Sequence, residues 1–326
     1  MSKELVLLTG AAGFVGYHTA LNLLAKGHKV IGIDNLNDFY DIKLKEHRLN
    51  ELKEMKGFSF FNLDIENYDG LSSLFDSNQF SRVINLAARA GVPYSIENPE
   101  IYMSTNAQGS LNLVKLCCEH EVKKYVLAST SSLYAGHDMP FIESSPVNLP
   151  ISPYASSKKA AEVMAYTYHY LYNVDVTIVR YFTVFGPAGR PDMSIFRFIK
   201  WIDEGSPIQL NGDGSQSRDF TYVSDIAEGT VKAAFKECGY EVINLGGGKR
   251  PITIMSTIKM IEDMLGKEAI IEYNDFLKTD LKSSWADIEK AKTILDWEPQ
   301  VSFEEGLSKT VEWFKANRSF ALSVQI

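Results

Sequence analysis

Leu5-Val6-Leu7-Leu8-Thr9-Gly10-Ala11-Ala12-Gly13-Phe14-Val15-Gly16 begins with an apolar run, turns through small residues, and enters a second apolar stretch. The run of Leu, Val and Thr suits a buried strand. The three glycines suit the turn from that strand into a helix. They allow a tight bend, close approach of a ligand to the backbone, and close packing of helix on strand. Leu5–Ala25 contains no Asp, Glu, Lys or Arg and follows Lys3, which also resembles a leader or a membrane span. Thr9-Gly10-Ala11-Ala12-Gly13 interrupts the run where a strand would become a helix, and no other segment is long and apolar enough to span. The expectation is a soluble protein of the cytoplasm.

Outward from this stretch, apolar runs alternate with amphipathic ones. The pattern predicts strands at Leu5–Thr9, Lys29–Asp34, Phe58–Asn62, Arg82–Leu86, Lys124–Ser129 and Asp175–Arg180. It predicts helices at Gly13–Lys26, Tyr102–His120 and Tyr154–Tyr172. Such alternation implies parallel βαβ units in a Rossmann-type, doubly wound α/β sheet, with ligands at the carboxyl ends of the strands. After Arg180 the turn signals become dense, at Gly186-Pro-Ala-Gly-Arg-Pro191 and Asn211-Gly-Asp-Gly214. Further helices are predicted near Ser194–Glu204, Val223–Lys236, Asp287–Leu295 and Phe303–Ala316. Residues 1–180 are therefore expected to form a dinucleotide-binding domain. Residues 181–326 are expected to form mainly a smaller substrate-binding α/β region, with some segments returning to the sheet. No long linker separates them, which places the site between them.

A helix entered through Gly13 presents free N–H groups and a positive dipole end to a pyrophosphate. The second strand ends at Asp34. A carboxylate there accepts from a ribose 2′-OH and repels a 2′-phosphate, which favours NAD over NADP. Asp64-Ile65, after the third strand, are candidates for lining the adenine, although Asp at that point also serves as a helix cap.

Tyr154-Ala-Ser-Ser-Lys158 supplies the chemistry. Residues four apart share a helix face, so Lys158 can hold a cation beside the Tyr154 phenol. An ordinary phenol ionises near pKa ~10, and a neighbouring cation brings it toward the range of a general base. Tyr and Lys often share an exposed helix face, so the pair gains its meaning from the glycine turn upstream.

Composition narrows the partners. The chain has 326 residues, 45% hydrophobic and 23% charged, with net charge −8. That balance disfavours non-specific nucleic-acid binding. Cys117, Cys118 and Cys238 show no metal spacing, and adjacent cysteines are poorly placed to bridge each other. His18 and His28 have no second ligand at metal spacing and read as structural, so no metal is expected.

These residues together resemble the extended short-chain dehydrogenase/reductase family of nucleotide-sugar epimerases and dehydratases. The resemblance covers nearly the whole chain. It rests on the glycine turn, Asn85-Leu-Ala-Ala88, Asn106, Thr130-Ser-Ser132, Tyr154/Lys158, Arg180-Tyr-Phe-Thr183, Arg218-Asp-Phe220, Asn244-Leu-Gly246 and Trp297-Glu-Pro299. Asp34-Asn-Leu-Asn-Asp-Phe-Tyr-Asp41 and Gly186-Pro-Ala-Gly-Arg-Pro-Asp-Met193 resemble the UDP-glucuronate 4-epimerase subgroup.

The resemblance implies an NAD site formed by Gly10, Gly13, Phe14, Val15, Gly16, Asp34, Asn35, Asp64, Ile65, Leu86, Ala87, Ala88, Asn106, Tyr154 and Lys158. It implies Tyr154 as general base, Lys158 lowering its pKa, and Thr130 and Ser132 bonding the reacting sugar. Substrate contacts are expected from Ser131, Thr183, Arg190, Gln209, Leu210, Arg218 and Lys278. Thr183 and Arg190 are the candidates for gripping a sugar carboxylate, and Arg218 for the diphosphate. The family's second diphosphate arginine is absent from Leu277-Lys-Thr-Asp280, where Lys278 is the candidate substitute. Arg89 stands where these epimerases usually have Gln, and no role follows for it. Dehydratases place Asp-Glu after the threonine, and decarboxylases carry Glu at the second of these positions. Ser131-Ser132 stand here instead. The implied reaction is epimerisation at C4 through a 4-keto sugar. The alternatives are a neutral UDP-hexose 4-epimerase, a UDP-glucuronate decarboxylase and, from a different class, a non-catalytic NAD-binding regulator. The family also implies a homodimer through helices 102–120 and 154–172.

Overall fold

The computed structural model describes residues 3–249, 251–276 and 282–326. Seven parallel strands form its central sheet: β1 Leu5–Thr9, β2 Lys29–Asp34, β3 Phe58–Asn62, β4 Arg82–Asn85, β5 Lys124–Thr130, β6 Val176–Tyr181 and β7 Tyr240–Leu245. Their spatial order is β7-β6-β5-β4-β1-β2-β3. Chain order reverses between β1 and β4. A crevice opens at such a switch point, above the carboxyl ends of the strands. Thr9 and Asn85 pair there as the last residues of their strands.

Alternation on the strands builds the two faces. Val6, Leu8, Val126 and Val179 pack into one core, while Leu7, Leu127 and Ile178 pack into the other. Helix α1, Phe14–Ala25, lies on the first face against Val223–Phe235. Helix α2, Ile42–Lys53, joins β2 to β3. Helix α3, Gly109–Glu119, packs against α4, Pro153–Tyr172, on the second face.

Several boundaries shift from the sequence reading. The expected helix Tyr102–His120 is an α-helical turn, Pro99–Tyr102, a π-helical stretch, Met103–Gln108, and then α3. Ser104, Thr105 and Asn106 are weak helix formers, but nothing in their order distinguishes a wider turn from an ordinary one. Strand β5 extends through Thr130, β4 stops at Asn85, and β6 runs from Val176 to Tyr181. The charged sequence of α2 reads as surface, and the sequence reading assigns no element there.

From the second half of the chain, β7 adds to the sheet edge beside β6. The remainder gathers around a third core containing Phe185, Phe196, Phe198, Phe220, Phe303 and Phe314. Three short strand pairs join this region: Thr183–Phe185 with Phe220–Tyr222, Ser217–Arg218 with Ile252–Thr253, and Ile208–Asn211 with Ile271–Asn274.

Candidate active site

The glycine turn is held by its own backbone. Gly13 N–H donates to Gly10 C=O at 2.9 Å, and Tyr17 N–H donates to Gly13 C=O at 2.9 Å. Gly10 has φ +67, and a Cβ there would lie 2.8 Å from Ala87 N. A Cβ on Gly16 would lie 2.0 Å from the Gly10 carbonyl. Neither position accepts a side chain without displacing backbone. Gly13 caps α1 with no side-chain hydrogen bond, so the helix N-terminus stays available to an anion. This cradle fits a dinucleotide pyrophosphate.

Asp34 is buried at the end of β2. It accepts from Ala12 N–H at 3.2 Å and Leu36 N–H at 2.9 Å, with Lys45 Nζ 3.8 Å away. A carboxylate has about four acceptor positions, so these donors leave capacity for ribose hydroxyls. Asn35 donates to Asp64 at 2.6 Å, which ties the ends of β2 and β3. Ile65 is buried, and its carbonyl accepts from Asn112 at 2.9 Å.

Across the switch point, Thr9 Oγ1 donates to Asn85 at 2.7 Å and accepts from Ala87 N–H at 3.0 Å. These bonds place Leu86, Ala87 and Ala88 beside the glycine turn. Asn106, expected at the cofactor, lies in the π-helical stretch, a frequent feature of functional sites. It accepts from Arg89 N–H at 2.8 Å and donates to Arg89 C=O at 2.9 Å and Ser157 Oγ at 2.9 Å. Asn106 therefore fastens the loop after β4 to α4. Arg89 donates from Nη1 to Asn37 at 3.3 Å, and its Nε is buried with no hydrogen-bond partner among the described residues. A buried unpaired donor invites a ligand acceptor.

Helix α4 begins at Ser152, whose hydroxyl accepts from Ala155 N–H at 3.2 Å, with Pro153 in the first turn. The cap sets Tyr154 at the mouth of the site, next to Tyr102, with ring centroids 6.1 Å apart. Burial pushes the Tyr154 phenol above its usual range. A hydrogen bond from Thr130 and the Arg190 charge pull it back down. Thr130 also accepts from Ser132 N–H at 3.1 Å, which opens the short turn Ser131–Tyr134. Lys158 is buried one turn along, and its ammonium donates to Ala128 C=O at 2.9 Å. Burial lowers its pKa to about 8 against the Glu162 carboxylate, which raises it. The Arg190 charge also acts on the phenol, a contribution the sequence reading did not include.

Arg190 and Thr183 share a small cavity with Phe14, Gly186 and Gly189. Arg190 pairs with Asp192 through Nε at 3.0 Å and Nη2 at 2.5 Å, and its guanidinium lies 5.6 Å from the Phe39 ring centroid. The two segments that carry the subgroup resemblance, 34–41 and 186–193, thus meet beside Tyr154. A larger cavity of about 370 Å³, lined by Glu143, Tyr240 and Lys290 among others, shares none of these residues.

The remaining expected contacts lie away from Tyr154 or outside the described residues. Gln209 is exposed, with its side chain donating to Glu272 at 2.6 Å and accepting from Asn274 at 3.2 Å. Leu210 is buried in the third core. Neither side chain joins the Tyr154 group, because the strand alternates one outward and one into the core. Arg218 donates to Ser217 C=O at 2.9 Å, on the strand pair with Ile252–Thr253. Lys278 lies outside the described residues. Among the described residues no cluster could hold a metal ion.

The sequence reading assigned no role to Glu162, yet it lies four residues beyond Lys158, on the same helix face. Glu162 is buried, accepts from Ser129 at 2.7 Å, and receives two bonds of 2.8 Å from Arg180. Arg180 also donates to Tyr134 at 2.8 Å. The spacing from Lys158 was the available signal.

Comparison with known proteins agrees with this geometry. The model of the NAD dependent epimerase/dehydratase family matches residues 6–246. A UDP-glucuronate 4-epimerase of Thermodesulfobacterium geofontis is 55% identical over 98% of this chain and 99% of its own length. The crystal structure of Bacillus cereus UDP-glucuronic acid 4-epimerase with UDP-glucuronic acid and NAD superposes with TM-score 0.89. It is 36% identical over 96% of this chain and 99% of that one. The Thermotoga maritima UDP-glucose 4-epimerase with UDP-glucose gives TM-score 0.88 at 31% identity, over 96% of this chain and 99% of that one. With its glycine cradle at the switch point, its buried Asp34 and its Tyr154–Thr130 pair, the chain belongs to the NAD dependent epimerase/dehydratase family.

Proposed function

We propose that this chain is a UDP-glucuronate 4-epimerase that interconverts UDP-glucuronate and UDP-galacturonate. The observation that carries the reading is Arg190, held in one cavity with Thr183 and close enough for its charge to act on Tyr154. A cation beside the general base suits a sugar with a carboxylate next to its reacting carbon. The relatives from Thermodesulfobacterium geofontis and Bacillus cereus support the same substrate.

The glycine turn, Asp34 and the loop after β4 would hold NAD, which when bound takes hydride from C4 and returns it. Tyr154 removes the C4 hydroxyl proton, assisted by the Thr130 hydroxyl and the Arg190 charge. Ser131 and Ser132 bond the sugar hydroxyls. The 4-keto sugar turns over in the pocket and is reduced on its other face. That intermediate is a β-keto acid, and it loses CO₂ only when the bond from C5 to the carboxylate aligns with the carbonyl π system. Thr183 and Arg190 would keep the carboxylate out of that alignment. Ser131 and Ser132 offer no carboxyl group for elimination or decarboxylation chemistry.

Residues 1–180 would carry the cofactor and base, and residues 181–326 mainly the nucleotide sugar. Arg218 is our candidate for the diphosphate. Val163, Tyr166 and Tyr170 form an exposed apolar stripe on α4, and Met103 is exposed on the neighbouring segment. These residues support a homodimer through the two long helical segments, which sedimentation would reveal as a doubled mass. Three free cysteines fit a reducing cytoplasm, and no helix among the described residues is long and apolar enough to cross a membrane.

The test is incubation of the purified protein with UDP-glucuronate and no added NAD. Appearance of the C4 epimer is expected. UDP-pentose as sole product would replace this reading with decarboxylation. Turnover of UDP-glucose or UDP-N-acetylglucosamine alone would replace it with a neutral-sugar epimerase. Tightly bound NAD with no turnover of any nucleotide sugar would favour a regulator.

A further inference from the structure

The loop 186–190 bends through a conformation that its residues do not favour. Ala188 has φ +51, in the left-handed region that non-glycine residues adopt at a cost, and it is buried. Such a conformation persists only where its surroundings hold it. Three consecutive carbonyls of this loop are held by side chains of the cofactor region. His18, on α1, bonds Pro187 C=O through Nε2 at 3.2 Å. Burial lowers the His18 pKa to about 4, so the neutral ring makes this bond as the Nε2–H tautomer. Arg48, on α2, donates to Ala188 C=O from Nε at 2.9 Å and Nη2 at 2.6 Å, and to Gly189 C=O from Nη2 at 3.2 Å. Its Nη1 donates to Ala12 C=O at 3.1 Å and to Tyr40 at 2.7 Å. Arg48 is fully buried, and the residue following this held stretch is Arg190.

The geometry points to Arg48 as a positioning residue that, with His18, sets where Arg190 meets the sugar carboxylate. One guanidinium joins the carbonyl of Ala12, inside the cofactor turn, to the carbonyls just before Arg190. The cofactor cradle and the carboxylate contact therefore share one rigid part. Lysine in its place keeps the charge, but its three N–H groups radiate from one nitrogen and cannot span the separation between these carbonyls that the guanidinium bridges. The buried carbonyl of Ala188 and the half-buried one of Gly189 then lose donors, and the loop relaxes from its strained turn.

This inference rests on the reading of Arg190 as a carboxylate contact. Calorimetric titration of the holoprotein with UDP-glucuronate, UDP-glucose and UDP tests both. The wild type should prefer UDP-glucuronate to UDP-glucose; no preference would overturn the functional reading and this inference together. With that preference present, Arg48→Lys should weaken UDP-glucuronate binding about tenfold and change UDP binding less than about twofold. In an Arg190→Ala background the same substitution should add little, because the two act through one contact. Equal weakening for UDP and UDP-glucuronate, or full additivity with Arg190→Ala, would reduce Arg48 to a fold-stabilising residue. If Arg48→Lys does not yield folded protein, His18→Leu releases Pro187 alone. It should shift the same selectivity by a smaller factor, and an unchanged selectivity would overturn the proposal.

Discussion

The cofactor end and the sugar end of this site are held together by different means. At the cofactor end, Gly10, Gly13 and Gly16 are fixed by hydrogen bonds and close contacts within one short turn. At the sugar end, the loop before Arg190 depends on His18 and Arg48, which are 169 and 140 residues from their bonding partners. A local device carries its own sequence signature. A device assembled across the chain does not, because each partner is locally unremarkable. Arg48 lies in a charged stretch to which the sequence reading assigns no element, and His18 reads as structural.

Tyr154 stands where the two ends meet, so its loss should have the largest effect. Tyr154→Phe should lower kcat by about a thousandfold, within the range for removing a general base, while the protein keeps its bound NAD. Steady-state rates and cofactor content after denaturation check this. Wild-type turnover would end the assignment.

Removing the sugar-end cation should separate the two regions. Arg190→Ala should lower kcat/KM for UDP-glucuronate by about 10- to 100-fold, the worth of a charge-assisted bond, and leave NAD content unchanged. Released UDP-pentose would further indicate that the carboxylate is no longer held out of alignment. An equal loss on neutral UDP-sugars would remove its carboxylate role.

The smallest expected change in rate comes from Glu162, buried behind Lys158. The folded Lys158 pKa is lowered to about 8, so its cation is present below that pH and lost as pH rises through it. The rate should accordingly fall on the alkaline side near that value. Glu162 raises the Lys158 pKa, so Glu162→Gln should move this limb to lower pH and cost a few-fold in rate at neutral pH. Breaking its buried pair with Arg180 should also destabilise the fold by about 3 kcal/mol. Rate profiles against pH, together with denaturant unfolding, separate the two effects. An unmoved limb in Glu162→Gln would assign Glu162 to stability alone.

The sequence was most legible where structure is local. Strands Leu5–Thr9, Lys29–Asp34 and Phe58–Asn62 lie where the apolar runs place them. The helix at Tyr154 follows from its Ser152-Pro153 start, which sets the first turn whatever packs against it. The π-helical stretch at Met103–Gln108 was not legible. The wider turn carries Asn106, whose amide bonds the Arg89 backbone and Ser157, a pairing that only tertiary contact creates.

The resemblance places Gln209 among the substrate contacts. In the structure its side chain is taken up by Glu272 and Asn274 of the adjoining strand. Conversely, Arg89 had no role in the sequence; in the structure Asn106 holds its backbone, its Nη1 donates to Asn37, and its Nε is buried without a partner among the described residues.

By itself the sequence determined the sheet, the glycine cradle, the acid at the end of β2 and the Tyr154–Lys158 spacing, because short-range sterics and periodicity dictate each of them. Only the tertiary structure brought the Arg190 charge within reach of the phenol. Lys158 is drawn to a backbone carbonyl of β5, while Arg190 arrives from a strained loop that two distant side chains hold in place. Charges act across space rather than along the chain, so their arrangement appears only after folding brings them together.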